Sequence, residues 1–137
     1  MEILMSIKPY FAFRILSGQK KVEFRRRISE KFRPGTKIYI YASLPIQRII
    51  GYCEIEQVKK LNISSLAKIS EIENEDVNSF YQYFDKLEMG YAISLKNPVK
   101  YKIPLNMMNI NSSFHPPVSY RFLKTLEQDY IKTHSLY

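Results

Sequence analysis

Short stretches in which apolar and polar residues alternate, separated by glycine and proline, dominate this chain and limit what it folds into. Residues 36–43, Thr-Lys-Ile-Tyr-Ile-Tyr-Ala-Ser, place Ile38 and Ile40 on one face and Tyr39 and Tyr41 on the other, the period of a strand. Residues 3–7 read as a first strand ending at Lys8-Pro9, and residues 48–58 as another, bent or bulged at Gly51. Between the first strands Pro9 suits the opening turn of a helix, Phe11, Ile15 and Leu16 fall at helical spacing, and Gly18 ends it. Pro34-Gly35 marks a turn. Farther on, Ser64-Ser65 caps a short helix near residues 66–69, and Val77, Phe80, Tyr81 and Phe84 predict an amphipathic helix over 73–87. Residues 89–95 and 99–103 read as two strands in a hairpin turned at Asn97-Pro98. Residues 106–115 read as an Asn/Ser-rich loop, and 119–132 as a last helix with Tyr120, Leu123, Leu126 and Tyr130 on one side. Five or six short strands with few crossover helices predict an α+β fold on a small, strongly bent sheet or open barrel. Only a wrapped sheet hides so many edges.

The 137 residues make one domain, 1–137, large enough for its own core. A single cysteine, Cys53, forms no internal disulfide and reads as a small buried hydrophobe within an apolar stretch. The two histidines, His115 and His134, show no metal-ligand spacing, so no metal and no cofactor is expected. The N-terminus lacks a basic segment followed by a long apolar run, and no run has the length of a membrane span. The expected compartment is therefore the cytoplasm; the oligomeric state is left open.

Charge is the main compositional signal. The formal net charge is +8, and between Lys8 and Arg48 eleven basic residues face two acidic ones, Glu23 and Glu30. The rest of the chain is close to neutral. A cluster of this kind is the footprint of a polyanion partner, most often nucleic acid, although basic surfaces also serve solubility alone.

The densest part is Gly18-Gln19-Lys20-Lys21-Val22-Glu23-Phe24-Arg25-Arg26-Arg27. Val22 and Phe24 point one way, to a core, and Lys21, Glu23 and Arg25 the other, so the charges sit on a rigid strand. Cations around one carboxylate suit a phosphate-bearing ligand, with Glu23 orienting them or doing acid/base work. A solvated edge strand protected by its charges is the plain alternative. A Glu23–Arg25 pair, if exposed, contributes only about 0–1 kcal/mol.

Ser6-Ile7-Lys8-Pro9, followed by Ile15-Leu16-Ser17 and then Gly18, Lys20, Glu23 and Arg25 in the order G-x-K-x-x-E-x-R, resembles the signature of ASCH domains in the PUA-like superfamily. Pro34-Gly35 before Tyr41-Ala42-Ser43, Gly90-Tyr91-Ala92-Ile93 and Pro116-Pro117-Val118-Ser119-Tyr120 support the resemblance, which covers residues 5–123. It implies a small β-barrel with a cleft between barrel and first helix, and a role in RNA binding or RNA-linked regulation. It also implies two enzymatic branches. One deacylates an acylated cytidine with a lysine, a threonine and a glutamate; the other cleaves single-stranded RNA. On the motif the lysine is Lys20, the threonine position is Glu23, and the further glutamate falls among Glu71, Glu73 and Glu75.

The expectation is an RNA- or nucleotide-binding module with a basic cleft of Lys8, Lys20, Lys21, Glu23, Arg25, Arg26, Tyr41 and Ser43. Tyr41 would stack on a base at the strand end, and Lys8 would contact a phosphate from its strand-to-helix corner, each against a plain surface reading. The alternatives are a hydrolase using Lys20 and Glu23, and a protein-interaction regulator using the Tyr/Phe-rich second half.

Overall fold

The computed structural model describes residues 1–110 and 112–137. Four helices and six strands follow in the order β1 (Ile3–Ile7), α1 (Pro9–Leu16), β2 (Val22–Arg25), β3 (Lys37–Ala42), β4 (Arg48–Asn62), α2 (Ile63–Ile72), α3 (Val77–Tyr83), β5 (Met89–Leu105), β6 (Tyr120–Phe122) and α4 (Thr125–His134). One mixed sheet has the strand order β2-β5-β4-β3-β1-β6. Only β1 and β3 run parallel. The sheet curls into a half-barrel, so β2 and β6 are its two free edges and approach each other across a seam.

Both faces of the sheet centre are buried. Ile38 and Ile40 pack with Ile3, Met5 and the α1 residues Ala12, Ile15 and Leu16. Tyr39 and Tyr41 pack on the other face with Leu4, Tyr101, Leu123 and Ile131 of α4. A third cluster joins Phe24 of β2 and Ala92 of β5 to Leu66, Phe80 and Phe84 of α2 and α3. Gly51 lets α1 lie close: an added Cβ would fall 2.2 Å from the Val99 carbonyl oxygen and 2.9 Å from Leu16. The β3–β4 register shifts next to it, between Ile40 and Tyr41.

Four expectations about the elements are corrected. Residues 89–105 form one strand and not a hairpin, and all of its length runs along β4, with register shifts that absorb Asn97 (φ +52) and Pro98. The helix expected over 73–87 is only Val77–Tyr83, capped by Asp76, whose carboxylate accepts from the Ser79 N–H at 2.9 Å. The helix expected over 119–132 is the short strand β6, paired with β1, followed by α4, and Leu126 is exposed. The short second helix is capped by Asn62, not by a serine. Within the loop expected over 106–115, a 3₁₀ turn spans Met107–Asn109, and Asn111 lies outside the described residues. Among the described residues no helix is long and apolar enough to cross a membrane.

Cys53 is buried as expected. Burial first, then the carboxylates of Glu23 and Glu54, pushes its thiol up to about 12. Because the thiolate is the reactive form, a disulfide-exchange reagent at pH 8 is expected to leave native protein unlabelled and to modify Cys53 once denaturant is added. Rapid labelling of the folded chain would contradict this placement.

Candidate functional site

The turn after α1 sets the site. Gly18 takes φ +84, a left-handed conformation that favours glycine. The Lys20 N–H then donates to the Arg14 carbonyl at 3.0 Å, and the Leu95 N–H to the Lys21 carbonyl at 2.8 Å. These bonds fix the turn between helix and sheet and send the Lys20 side chain inward, where it is 3% exposed. Its ammonium lies 5.4 Å from the ring centres of both Phe11 and Phe24. It contacts the carboxylate of Glu75 and lies 3.9 Å from that of Glu23.

Glu23 and Arg25 alternate with Val22 and Phe24, as the period-two pattern predicts, but their face is not solvated. Both are buried. Arg25 donates to Glu23 Oε2 from Nη2 at 2.6 Å and from Nε at 2.9 Å. It also crosses the barrel seam, donating to the Ser6 carbonyl at 3.2 Å and to Ser119 Oγ at 3.0 Å. Backbone ladders do not join β2 to β1 and β6; this side chain does. The stability estimate for an exposed pair therefore does not apply.

The second acidic contribution comes from the loop between α2 and α3. Glu73 Oε1 accepts from the N–H groups of Lys21 and Val22 at 2.7 and 2.6 Å, and Arg14 donates to its carbonyl at 3.3 Å. Glu73 thus pins the loop to the Gly18 turn while Glu75 reaches Lys20. Of the three glutamates left open by the sequence, Glu75 is the one on the lysine, Glu73 holds backbone, and Glu71 is exposed.

Lys20, Glu23, Arg25 and Glu75 line a cavity of about 450 Å³ between α1, β2, α3 and the ends of β1 and β3, a volume typical of small-ligand sites. Phe11, Phe80, Tyr83 and Val118 supply apolar wall, while Ser6, Ser43 and Ser79 supply hydroxyls. The lining carries the cations Lys8, Lys20 and Arg25 and the carboxylates Glu23, Glu75 and Asp76. The cavity is thus charge-balanced, unlike the basic cleft expected. The unbalanced cations lie outside: Lys21, Arg26, Arg27, Lys31 and Arg33 are exposed.

Of the eight expected site residues, the fold gathers Lys8, Lys20, Glu23, Arg25 and Ser43 around the cavity. Lys21 is exposed and contributes its backbone to the pinned loop. Arg26 is outside, its guanidinium 5.0 Å from the ring centre of Tyr83 on the cavity wall. Tyr41 is corrected: it is 5% exposed, on the opposite face of the sheet, with its ring 6.0 Å from Phe114. Burial raises its hydroxyl pKa, against a lowering from Arg48. Stacking on a base from this position is excluded by its packing. Tyr39 is buried likewise and donates to Glu2 Oε2 at 3.2 Å. Sequence reasoning missed Asp76, Ser79 and Tyr83, all from the α3 region more than fifty positions away from the motif. Among the described residues no three His, Cys, Asp or Glu side chains come together as a metal site.

The sequence profile of the ASCH domain matches residues 5–100, more than half of the chain. The chain belongs to the ASCH domain family. It is 32% identical over 138 aligned positions to an ASCH domain-containing ribonuclease of Zymomonas mobilis, an alignment covering 92% of this ASCH domain and 86% of that protein. The crystal structure of ASCH from Zymomonas mobilis superposes with a TM-score of 0.89 at 29% identity, covering 98% of this chain and 95% of that one. The N-terminal domain of Staphylothermus marinus McrB shares the fold, with a TM-score of 0.63 at 14% identity over 97% of this chain and 93% of that one. The PUA-like open barrel expected from the sequence is therefore the architecture of this ASCH domain, in the form of a half-barrel.

Proposed function

We propose that this ASCH domain takes one nucleotide of single-stranded RNA into the seam cavity and cleaves the adjoining phosphodiester. The observation that carries the reading is Lys20, buried between aromatic rings and held by the carboxylates of Glu75 and Glu23. The similarity of the chain, nearly end to end, to a protein named as a ribonuclease supports it.

The chemistry follows from what RNA brings with it. Its 2′-hydroxyl is an internal nucleophile, so the protein needs no serine or cysteine beside a histidine base. A carboxylate of the Lys20 cluster accepts the 2′-hydroxyl proton as that oxygen attacks phosphorus. The Lys20 ammonium lies against the charge that develops on the phosphoryl oxygens and returns a proton to the departing 5′-oxygen. The products are a 2′,3′-cyclic phosphate end and a free 5′-hydroxyl, and the atoms balance without a co-reactant. Phe11 and Tyr83 offer ring surface to the base, and the exposed cations around the mouth attract the flanking phosphates.

The test is incubation of purified protein with a labelled single-stranded oligoribonucleotide and an analogue carrying one 2′-deoxy position. Cleavage that stops only at the deoxy position, leaving cyclic phosphate ends, is expected. Cleavage proceeding equally well at the deoxy position would overturn the mechanism. Binding that weakens with salt but yields no products would reduce the function to RNA binding.

A further inference from the structure

The cavity leaves most of the basic excess unexplained, and one surface beside it combines further cations with aromatic rings. On the outer face of α1, Tyr10 is 68% exposed and Phe13 38% exposed. Three positions apart on a helix, they share one face. Each carries a cation: the Arg14 guanidinium lies 5.5 Å from the Tyr10 ring centre, and the Lys100 ammonium, from β5, 5.3 Å from that of Phe13. Tyr10 also meets Phe11 edge to face at 5.2 Å, and Phe11 is cavity wall. The patch is therefore one ring away from the pocket.

Charge complementarity identifies the occupant. Residues 8–22 contain no acidic residue. Of their cations Lys8 and Lys21 are exposed and Arg14 is half-buried, while Lys20 turns inward onto Glu75. The Glu73 carboxylate, which reaches this segment from elsewhere, is occupied, accepting from the Lys21 and Val22 N–H groups. Lys8 is exposed at the start of α1 and lines the cavity mouth. The two exposed rings are flanked by Lys8, Arg14 and Lys100, and rings alternating with cations complement a phosphodiester strand more closely than a protein surface. Interleaved rings and cations are the means by which proteins hold single strands without reading their sequence, because every base has a flat face to stack.

We propose that the outer face of α1 is a stacking platform for the nucleotides that follow the one in the cavity. Tyr10 and Phe13 receive bases, and Lys8, Arg14 and Lys100 receive phosphates. The inference rests on the RNA reading of the pocket and extends it from a single nucleotide to a strand of low sequence preference.

The test compares a fluorescent dinucleotide with an octanucleotide, both of 2′-fluoro RNA so that neither carries the 2′-hydroxyl needed for cleavage, by anisotropy at several salt concentrations. The native protein is expected to bind the octanucleotide more than tenfold tighter than the dinucleotide. The double variant Tyr10→Ala/Phe13→Ala is expected to lose most of that gain, since each stacked base contributes about tenfold. Lys100→Gln, which leaves both rings in place, should flatten the logarithmic salt slope by about 0.7. Thermal unfolding of both variants reports whether they fold. If the native protein binds neither oligonucleotide, the pocket reading falls and the platform with it. If the native protein binds and both variants keep the length gain and the salt slope, the platform alone is wrong. A native dimer that the double variant converts to monomer, with RNA affinity unchanged, would also overturn it in favour of a protein contact.

Discussion

Replacing Glu23 by alanine is expected to lower the unfolding free energy by about 3–5 kcal/mol, the cost of leaving a buried partner unpaired. Glu23 is 8% exposed, and it holds Arg25 through two hydrogen bonds while standing 3.9 Å from Lys20. Its removal leaves a guanidinium inside the seam with no carboxylate, and Lys20 with Glu75 alone. Small domains have only about 5–15 kcal/mol in total, so the melting temperature should fall by roughly 10 °C or more. The double variant Glu23→Ala/Arg25→Met should recover part of the loss, because a buried charge without a partner is worse than an apolar side chain in its place. Denaturant titrations of the two singles and the double decide the matter. A loss below about 1 kcal/mol for Glu23→Ala would show that the pair behaves like a solvated one.

The second large effect is on the proposed RNA cleavage. Lys20→Met is expected to slow RNA cleavage by about 10²–10⁴-fold, the usual range for a positioned proton-transfer group. Methionine retains an apolar stem between Phe11 and Phe24 and leaves the Glu23–Arg25 pair in place, but it strips Glu75 of its cation, so a loss of stability accompanies the chemical effect. Single-turnover rates on a labelled oligoribonucleotide, with thermal unfolding as the control, separate chemistry from collapse. Native-like rates in a folded Lys20→Met protein would remove lysine from the mechanism.

The first third of the fold was legible because its signals are local. Pro9 and Gly18 bracket α1, Pro34-Gly35 precedes β3, and alternation gives β2 and β3. Elsewhere the deciding partner is distant in sequence. Tyr120 and Phe122 fit a helix as well as a strand until β1 is available to pair with them at Ile3 and Met5. Asn97-Pro98 reads as a turn, yet β4 is long enough to carry β5 past it, and the shifted register accommodates a residue with no N–H. Tyr41 looked like a cleft residue because alternation names two faces without saying that α4 covers one of them.

The site shows the same division. Lys20, Glu23 and Arg25 were legible as a spacing, since a turn and a short strand place all three. Their charge state as a group was not, because Glu75 arrives from 55 positions away and converts a basic motif into a balanced one. Ser119 takes part only through the closing of the sheet, which no local pattern encodes.

One consequence of the Arg25 bridge concerns how far activity and architecture can be separated by mutation. The same guanidinium that borders the cavity also clasps Ser6 and Ser119 across the seam between the sheet's edge strands. Any replacement there loosens the container along with its contents, so a dead variant at this position cannot by itself assign a chemical role. Lys20 meets Glu75 and Glu23 and not Ser6 or Ser119, so it is the position at which chemistry can be altered with the clasp itself left in place.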